Sequence, residues 1–491
     1  MENKRAAAVV GAGIAGIATA IRLANKSFSV EVFEANAYPG GKLSQLQLGA
    51  YRFDAGPSLF TLPRQVEELF ELSGYKAEDY FQYRRLPLSC RYFYEDGTII
   101  HGYAEPDKFI EEIALKTGAN REDVQEHIRH SARLYALLAD LFMHRSLHNW
   151  GTWLSLKSLK AYLNLPRLNI FRSMHSANAA RLKAPKAVQL FNRYATYNGS
   201  NPYQAPATLN IIPHLEMGIG AFMPVGGMHA ITQSLYELAQ RLGVQFHFNS
   251  PVSQILTAGD RVSGVLAGGK ERSFDVVVSN ADLLHTYRRL LPHHQAPERL
   301  LSQPKSSSAL IFYWGIKKEF PELDLHNIFF SQDYEQEFRH IFEEKTIWHD
   351  PTVYLNITAK YEAGDAPKGC ENWFTMINVP HNSGQDWDRL IATARQNILQ
   401  KLSRILGTDI APLIEQEAIL DPRTIEGKTS SAFGALYGNS SNSRYAAFLR
   451  HANKSSSIKG LYFCGGSVHP GGGIPLCLLS AKITAGMVKQ S

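Results

Sequence analysis

Three glycines near the N-terminus, Gly11, Gly13 and Gly16, have the spacing Gly-x-Gly-x-x-Gly. An apolar run (6–10) precedes them and predicts a buried strand, and apolar residues at helical spacing follow them. In that context Gly11 allows a tight turn, Gly13 lets the backbone approach a pyrophosphate, and Gly16 lets helix and strand pack closely. Glu34 ends the next predicted strand, where a carboxylate accepts hydrogen bonds from ribose hydroxyls. These residues predict a dinucleotide-binding site.

The residues after Glu34 bear on the choice between NAD and FAD. A second glycine pair and a lysine follow, whereas NAD-binding domains normally continue with another strand–helix unit. The pair suits a second pass of backbone along the dinucleotide, with the lysine near a phosphate or a flavin. This pattern resembles the flavin-containing amine oxidase and carotenoid desaturase superfamily, which implies non-covalent FAD. The residues of this segment expected to bind it are Gly40, Gly41, Lys42, Gly56, Pro57 and Ser58.

A second glycine-rich stretch, "YFCGGSVHPGGGIP" (462–475), follows a predicted strand and precedes an apolar pattern. Ordering so many glycines is costly, which favours a backbone that lies flat against a ligand. In the superfamily that this chain resembles, the final segment covers the isoalloxazine ring, and the last helix points its positive N-terminus at the flavin. A glycine-rich loop that caps a surface helix is the alternative. The residues expected at the flavin are Gly465, Gly466, Gly472, Gly473 and Ile474.

Segments in the middle of the chain carry a closer resemblance. "FMPVGGMHA" (222–230) precedes an amphipathic helix and a strand expected to reach Val252, and "VVVSNAD" (276–282) ends a buried strand. These segments resemble the bacterial carotenoid desaturase family, which implies that Val252, Asn280 and Ala281 contact the cofactor. The C-terminal glycine stretch looks most similar to the branch that acts on the 3,4-bond of acyclic, often 1-hydroxylated carotenoids.

The resemblance implies an α/β fold (α+β overall) with a Rossmann-type FAD-binding lobe. This lobe is interleaved with a mixed-sheet substrate lobe and a helical, membrane-associating insertion. The FAD-binding domain is expected to gather residues 1–75, 225–290 and 430–491. The substrate-binding domain is expected to hold residues 76–112 and 291–429, and the helical subdomain residues 113–224.

The implied reaction removes two hydrogens from adjacent carbons of a carotenoid, with hydride passing to flavin N5 and a proton leaving the neighbouring carbon. The intermediate cation is delocalised along the polyene, so a weak base or water suffices and no catalytic residue is assigned. Arg193 and His469 are expected near the flavin, where packing against the cofactor is as consistent with their types as proton transfer. Oxygen or a membrane quinone then takes up the electrons.

The positive charge of the chain is concentrated in one segment. The 491 residues carry a formal net charge of +6, yet no Asp or Glu occurs from Leu141 to Leu215, where nine Lys or Arg fall. Within 141–183 large apolar residues alternate with basic ones, which suits an anionic membrane surface. A basic solvated face over an ordinary helical core is the alternative. Nucleic acid is a poorer partner, because the basic residues are mixed with apolar ones and no recognition motif occurs.

The sequence also limits the compartment and the metal chemistry. No apolar run is long enough to span a bilayer and no signal-peptide pattern occurs, so we expect a cytoplasmic protein associated peripherally with the cytoplasmic membrane. Cys90, Cys370, Cys464 and Cys477 have no metal-ligand spacing and are expected to be reduced thiols. No metal site is predicted.

Several other functions fit the same fold. A phytoene- or dehydrosqualene-type desaturase, a carotenoid saturase or an isomerase would share most of these motifs. An amine oxidase or protoporphyrinogen oxidase would share the FAD-binding lobe but not the middle segments. A non-catalytic prenyl-binding escort protein is the alternative from a different class, and it would lack an intact flavin-covering C-terminus.

Overall fold

The computed structural model describes residues 5–148, 171–443 and 450–489. The strands in these residues are, in chain order, β1 (Ala6–Val10), β2 (Ser29–Phe33), β3 (Gln45–Leu48), β4 (Tyr51–Asp54), β5 (Tyr83–Arg85), β6 (Leu88–Phe93), β7 (Ile99–Tyr103), β8 (Phe222–Pro224), β9 (Gln245–His247), β10 (Val252–Ala258), β11 (Arg261–Ala267), β12 (Lys270–Ser273), β13 (Val276–Ser279), β14 (Ser308–Ile316), β15 (His326–Phe329), β16 (Val353–Ile357), β17 (Glu371–Val379), β18 (Ile414–Leu420) and β19 (Leu461–Phe463).

The α-helices lie between runs of these strands. They are α1 (Ile14–Ala24), α2 (Arg64–Leu72), α3 (Pro106–Thr117), α4 (Arg121–Phe142), α5 (Met174–Leu182), α6 (Pro185–Asn192), α7 (His229–Arg241), α8 (Leu283–His285), α9 (Glu298–Leu301), α10 (Tyr334–Arg339), α11 (Trp387–Leu406), α12 (Pro422–Thr429) and α13 (Ile474–Met487).

A five-stranded parallel sheet, in the order β19-β13-β1-β2-β9, carries the N-terminal glycine turn. Its central strand β1 is apolar along its length, so both faces are buried. Val9 and its neighbours pack under α1, α7 and α13 on one face. Ala8 and Val10 pack against the small sheet β10-β11-β12 on the other face. The predicted first strand, 6–10, is confirmed.

A seven-stranded mixed sheet forms the second layer, in the order β18-β14-β17-β16-β15-β6-β7. Its pairs are antiparallel except for the parallel pair of β15 and β6. Trp314 lies opposite Trp373 in adjacent strands, and both indole side chains are fully buried. α11 covers this face through Ile398 and Leu402, and the opposite face contributes to a cavity. The predicted α/β architecture is therefore confirmed.

The strand expected to reach Val252 is shorter than predicted. β9 ends at His247, and Val252 begins a separate strand, β10, that pairs with β11 in another sheet. Asn249, between the two strands, has a positive φ of 51°, so the chain turns there. Periodicity did not reveal this turn because the residues on both sides are extended.

Helices α3 to α6 form the insertion between the two main sheets. Asn120 begins α4 by accepting hydrogen bonds from the backbone N–H groups of Glu122 and Asp123. Phe191 and Tyr194 pack with Tyr92 of β6 in the core of this region. Most of the predicted membrane-binding segment, 141–183, lies outside the described residues. Within the described ranges, none of the helices is long and apolar enough to cross a membrane.

The predicted domain boundaries stay a prediction. The strands of the parallel sheet fall within the three stretches assigned to the FAD-binding domain, and those of the seven-stranded sheet fall within 76–112 and 291–429. Position 113 lies inside α3, which begins at Pro106.

Candidate functional site

The glycine-rich segments meet in a cavity of about 1320 Å³. Ordinary small-molecule pockets have volumes of about 300–1,000 Å³, so this cavity has room for more than one small ligand. The predicted cofactor-binding residues that line it are Gly11, Gly13, Glu34, Gly40, Gly41, Lys42, Gly56, Pro57, Ser58, Val252, Asn280, Ala281, Gly465, Gly466, Gly472, Gly473 and Ile474.

Gly16 serves the packing of the first turn. A Cβ at this position would lie 2.2 Å from the carbonyl oxygen of Gly11 and 2.9 Å from Oδ1 of Asn280. A side chain would therefore push α1 away from the turn that precedes it. This contact agrees with the packing role predicted for the third glycine.

The second glycine pair lies directly beside the first turn. The N–H of Gly40 donates a hydrogen bond to the carbonyl oxygen of Ala12 at 2.8 Å. Gly41 has a positive φ of 57°, and a Cβ there would lie 3.4 Å from Cα of Gly13. Two passes of backbone therefore run side by side at the cavity wall, as the spacing predicted.

Two helices open onto the cavity at their N-termini. α1 begins after Gly13 and α13 after Gly473, and both glycines line the cavity. Among the described residues, no side chain caps either helix and no acid occurs in either first turn. Their free N–H groups and positive dipole ends therefore face the cavity, which suits anionic groups of a ligand.

Glu34 is held more tightly by the protein than predicted. Its Oε2 accepts a hydrogen bond from the N–H of Ala12 at 2.7 Å, and its Oε1 accepts from the backbone and side-chain nitrogens of Asn36, each at 2.8 Å. A carboxylate has about four acceptor sites, so these bonds use most of them. The carboxylate thus supports the glycine turn as well as lining the cavity.

Lys42 directly follows the second glycine pair and lines the cavity. Its Nζ donates to the carbonyl oxygen of Leu436 at 3.0 Å, and burial lowers the pKa of the amine. Asp282 also lines the cavity, and burial raises the pKa of its carboxyl group. The proximity of Lys42 to a phosphate or a flavin stays a prediction.

Sequence reasoning missed Arg450, which lines the cavity and is buried. It donates to the carbonyl oxygens of Gly466 at 3.2 Å and Tyr437 at 3.4 Å, and burial lowers its pKa to about 10. No signal in the sequence indicates this burial, because an arginine is usually exposed. Through these hydrogen bonds Arg450 links the C-terminal glycine loop to the segment that contains Tyr437.

His469 and Arg193, both expected near the flavin, line the cavity in different settings, and their place relative to a flavin stays a prediction. His469 is buried, its Nε2 donates to the carbonyl oxygen of Arg145 at 2.7 Å, and burial lowers its pKa to about 4. Arg193 lies 3.4 Å from Glu216 and donates to the hydroxyls of Tyr197 and Tyr92 at 2.8 and 2.9 Å. Arg193 therefore forms a buried ion pair within the insertion, and its hydrogen bond to Tyr92 ties the insertion to β6.

Much of the rest of the cavity wall is apolar, although it includes polar residues such as Thr196, Asn198 and Asn378. Side chains of the helical insertion form one side, and alternate residues of the seven-stranded sheet form the floor. The insertion contributes Leu138, Phe142, Met143, Leu147, Leu209, Ile211 and Leu215. The floor includes Ala309, Ile311, Ile328, Phe374, Met376, Ala418 and Leu420. Such a wall suits a long apolar ligand beside the glycine-rich region.

The four cysteines are unpaired. Cys464, which lies within the C-terminal glycine stretch, packs in the core with Ala7 and Ile17. Cys477, at the start of α13, lines the cavity, and burial raises the pKa of its thiol to about 11. Both thiols are therefore protonated at neutral pH.

Comparison with known proteins places this site in a family. The family profile described as flavin containing amine oxidoreductase matches residues 14–488. A 1-hydroxycarotenoid 3,4-desaturase of Flavobacterium sp. (strain P99-3) is 49% identical over 485 residues, 99% of each chain. A 4,4'-diapolycopene oxygenase of Methylomonas sp is 32% identical, over 97% of this chain and 96% of that one.

A solved structure of a putrescine oxidase, redesigned in its cofactor binding, has the same fold. Its TM-score is 0.65 at 15% identity, with 98% of both chains covered. At 15% identity this similarity shows only that the two proteins share a fold. Together with the family profile and the relative at 49% identity, these findings show that the chain belongs to the flavin-containing amine oxidoreductases and, within them, to the carotenoid desaturases.

Proposed function

We propose that this protein is an FAD-dependent carotenoid desaturase that forms the 3,4 double bond of an acyclic, 1-hydroxylated carotenoid. The observation that carries the proposal is the shared cavity, in which a glycine-rich, anion-attracting region adjoins a long apolar wall. The 49% identity to a 1-hydroxycarotenoid 3,4-desaturase supports the bond and the substrate class.

The residues present fit FAD. The glycines of the first turn and of the 40–41 pair line the cavity beside the N-terminus of α1, where they would hold a pyrophosphate, and Glu34 and Val252 line the same cavity and would hold the adenosine half. Gly473 has a positive φ of 98°, and a Cβ there would have no atom of the described residues within 4 Å. This open cradle suits the flat face of a flavin ring, next to the N-terminus of α13.

We propose that FAD is bound without a covalent link. Cys464 packs in the core, and the raised pKa of Cys477 keeps its thiol protonated. Neither sulfur is therefore poised to form a covalent bond to the flavin. Acid precipitation should therefore release the yellow colour to the supernatant. A yellow pellet would contradict the proposal.

When bound, FAD supplies a two-electron acceptor for hydride from an allylic carbon and passes the electrons on to oxygen or a membrane quinone. The apolar floor and the insertion helices orient the polyene and exclude water. The uncapped N-terminus of α13 provides positive potential for negative charge that develops during the reaction. Loss of the proton from a delocalised cation requires no strongly basic side chain.

The proposed location is the cytoplasmic face of the membrane, because a carotenoid dissolves in lipid and not in water. The basic segment 141–183 supports contact with anionic lipid. Leu147 and Phe171, which flank the part of this segment outside the described residues, both line the cavity. Phe171 is 77% exposed, so the cavity wall continues to the protein surface on this side.

The test uses the purified holoprotein and a 1-hydroxylated acyclic carotenoid in liposomes. The expected result is a product with one additional double bond at the 3,4 position and bleaching of the flavin when no electron acceptor is present. A product that has gained an oxygen atom relative to the substrate would favour an oxygenase like the Methylomonas relative. A colourless protein that binds the carotenoid unchanged would favour the prenyl-binding escort class.

A further inference from the structure

A chain of three hydrogen-bonded polar side chains lies at the largely apolar floor of the cavity. The hydroxyls of Ser58 and Tyr354 lie 2.7 Å apart, and the Tyr354 hydroxyl lies 2.7 Å from Nδ1 of His326. All three residues line the cavity. His326 and Tyr354 come from the adjacent strands β15 and β16, and Ser58 comes from the loop predicted to bind the cofactor.

A neighbouring amide defines where the proton of the His326 ring lies. Nδ2 of Asn356 donates to the carbonyl oxygen of Leu325 at 3.0 Å, which identifies it as the nitrogen, and it also lies 3.1 Å from Nδ1 of His326. An amide nitrogen only donates, so Nδ1 is the acceptor. Burial lowers the pKa of His326 to about 4, so the ring is neutral and carries its proton on Nε2.

The Nε2–H donor of His326 has no partner among the described residues. The residue is only 3% exposed, and the nearby floor consists of apolar residues such as Ile328 and Phe374. Buried donors are almost always paired in folded proteins. An unpaired one on a side chain that lines a ligand cavity points to a partner that arrives with the ligand.

We propose that Nε2–H of His326 binds the hydroxyl oxygen at C1 of the substrate and thereby selects hydroxylated acyclic carotenoids. This inference rests on the proposed function. In such a substrate a single carbon separates C1 from C3, so the group that recognises the hydroxyl must lie close to the flavin. The link from His326 through Tyr354 to Ser58, directly after Gly56 and Pro57, meets that requirement.

Arg193, another buried donor on this side of the cavity, also has one nitrogen, Nε, that is unpaired among the described residues, while both of its terminal nitrogens donate hydrogen bonds. Its guanidinium group lies within 5.2 Å of the ring centres of Tyr92, Tyr194 and Tyr197 and is paired with Glu216. These neighbours cover the cation. The hydrogen bond to the substrate is assigned to His326, because its hydrogen-bonded chain through Tyr354 reaches Ser58, in the loop predicted to bind the cofactor.

Two variants separate the outward donor from the internal hydrogen bonds. His326→Asn places an amide near the position of Nδ1, where it can accept from Tyr354 and Asn356, but it has no donor at the position of Nε2. His326→Gln places its amide nitrogen near Nε2 and restores that donor. His293→Asn, at an exposed position in the loop after β13 and α8, is the control for the substitution itself.

The experiment compares a 1-hydroxylated acyclic carotenoid with the same carotenoid lacking the hydroxyl, both supplied in liposomes. Binding is measured by retention of each carotenoid on the holoprotein, and desaturation by kcat/KM. We expect the preference of the parent protein for the hydroxylated form to fall about tenfold in His326→Asn. The preference should persist in His326→Gln and in His293→Asn.

Loss of the preference in both His326 variants, or in neither, would overturn the inference. A parent protein that desaturates both carotenoids equally would overturn it as well, while leaving the proposed desaturase function intact. A parent protein that desaturates no carotenoid would instead contradict the proposed function. The binding measurement separates this last case, because it reports recognition of the hydroxyl without the reaction.

Discussion

Asn280 donates a hydrogen bond from its side-chain amide to the carbonyl oxygen of Cys464, 3.1 Å away. This bond ties the end of β13 to the end of β19, directly before the C-terminal glycine loop. Oδ1 of the same amide lies 2.6 Å from the position that a Cβ on Gly13 would take. Asn280 thus connects the first glycine turn with the last, which explains how segments far apart in sequence form one cavity.

Replacing Gly13 by valine should abolish flavin binding. The new side chain would collide with Asn280 and project into the space expected for the pyrophosphate. The measurement is the flavin absorbance per protein after purification. Gly486→Ala is the control, because a Cβ in that last turn of α13 meets no described atom within 4 Å. Full flavin content in Gly13→Val would contradict the assigned position of the dinucleotide.

Replacing Glu34 by alanine should weaken FAD binding by about 10- to 100-fold, because each hydrogen bond to a charged acceptor contributes about 1.5–3 kcal/mol. The variant should also unfold at a lower temperature, since the N–H of Ala12 loses its partner. Titration of the apoprotein with FAD measures the affinity. Glu31→Ala, on the same strand but paired with His247 and Arg272, should leave FAD binding unchanged. Equal affinities in the two variants would contradict the role of Glu34.

The first strand, the glycine turn and the second glycine pair could be predicted because their signals are local. Glycine spacing, an apolar run and an acid at the end of β2 all lie within the first 42 residues. The chain of Ser58, His326 and Tyr354 could not be predicted in this way. Its members lie far apart in sequence, and each residue type alone is ordinary. The pairing of β15 with β16 brings His326 beside Tyr354, and the loop after β4 brings Ser58 to them.

The burial of Arg450 shows the same limit. A lone arginine after an apolar segment predicts an exposed side chain, and its contacts with Gly466 and Tyr437 arise from the packing of three loops. The break between β9 and β10 was missed for a local reason, because extended residues flank Asn249 on both sides.

Vesicle binding tests the basic segment. Changing Lys157, Lys160 and Arg167 together to glutamine should weaken binding to anionic vesicles by about 3 kcal/mol at low salt, because each basic residue near the surface contributes about 1 kcal/mol. The flavin spectrum should be unchanged. Trp150→Ala and Trp153→Ala should weaken binding at high salt as well, since burial of aromatic surface is not screened.

The matched control for the charge changes is a second triple variant, in which glutamine replaces Lys317, Lys318 and Lys368. All three lysines are exposed and lie in the region of the seven-stranded sheet. This triple variant should bind vesicles like the parent protein. Co-sedimentation with vesicles measures both. If the two triple variants lose the same affinity, the effect comes from net charge and the segment 141–183 has no special role at the membrane.

Glu337 should make the stability of the protein depend on pH near neutrality. Its carboxyl group is buried, accepts a hydrogen bond from Thr352 at 2.6 Å, and has a pKa raised by burial to about 7. The unfolded chain loses this proton near pH ~4.3. Between the two values the folded protein holds a proton that the unfolded chain has lost, so the free energy of unfolding falls as the pH rises, by about 3–4 kcal/mol in total.

Glu337→Gln should remove most of this pH dependence, because the amide stays neutral. Thermal unfolding at several pH values between about 5 and 8 measures the pH dependence. Across this range the Tm of the parent protein should fall by roughly 3 °C more than the Tm of the variant. Glu335→Gln, exposed two positions earlier, should retain the dependence of the parent protein. An unchanged slope in Glu337→Gln would show that Glu337 is ionised throughout this range.

The most direct test of the proposed function is pigment analysis of cells that express this protein. Three hosts would accumulate phytoene, lycopene and a 1-hydroxylated acyclic carotenoid, and Gly13→Val would serve as the inactive control. The account predicts a new pigment with an additional 3,4 double bond only in the host that supplies the hydroxylated carotenoid. Conversion of phytoene or lycopene with no change in the hydroxylated carotenoid would contradict it.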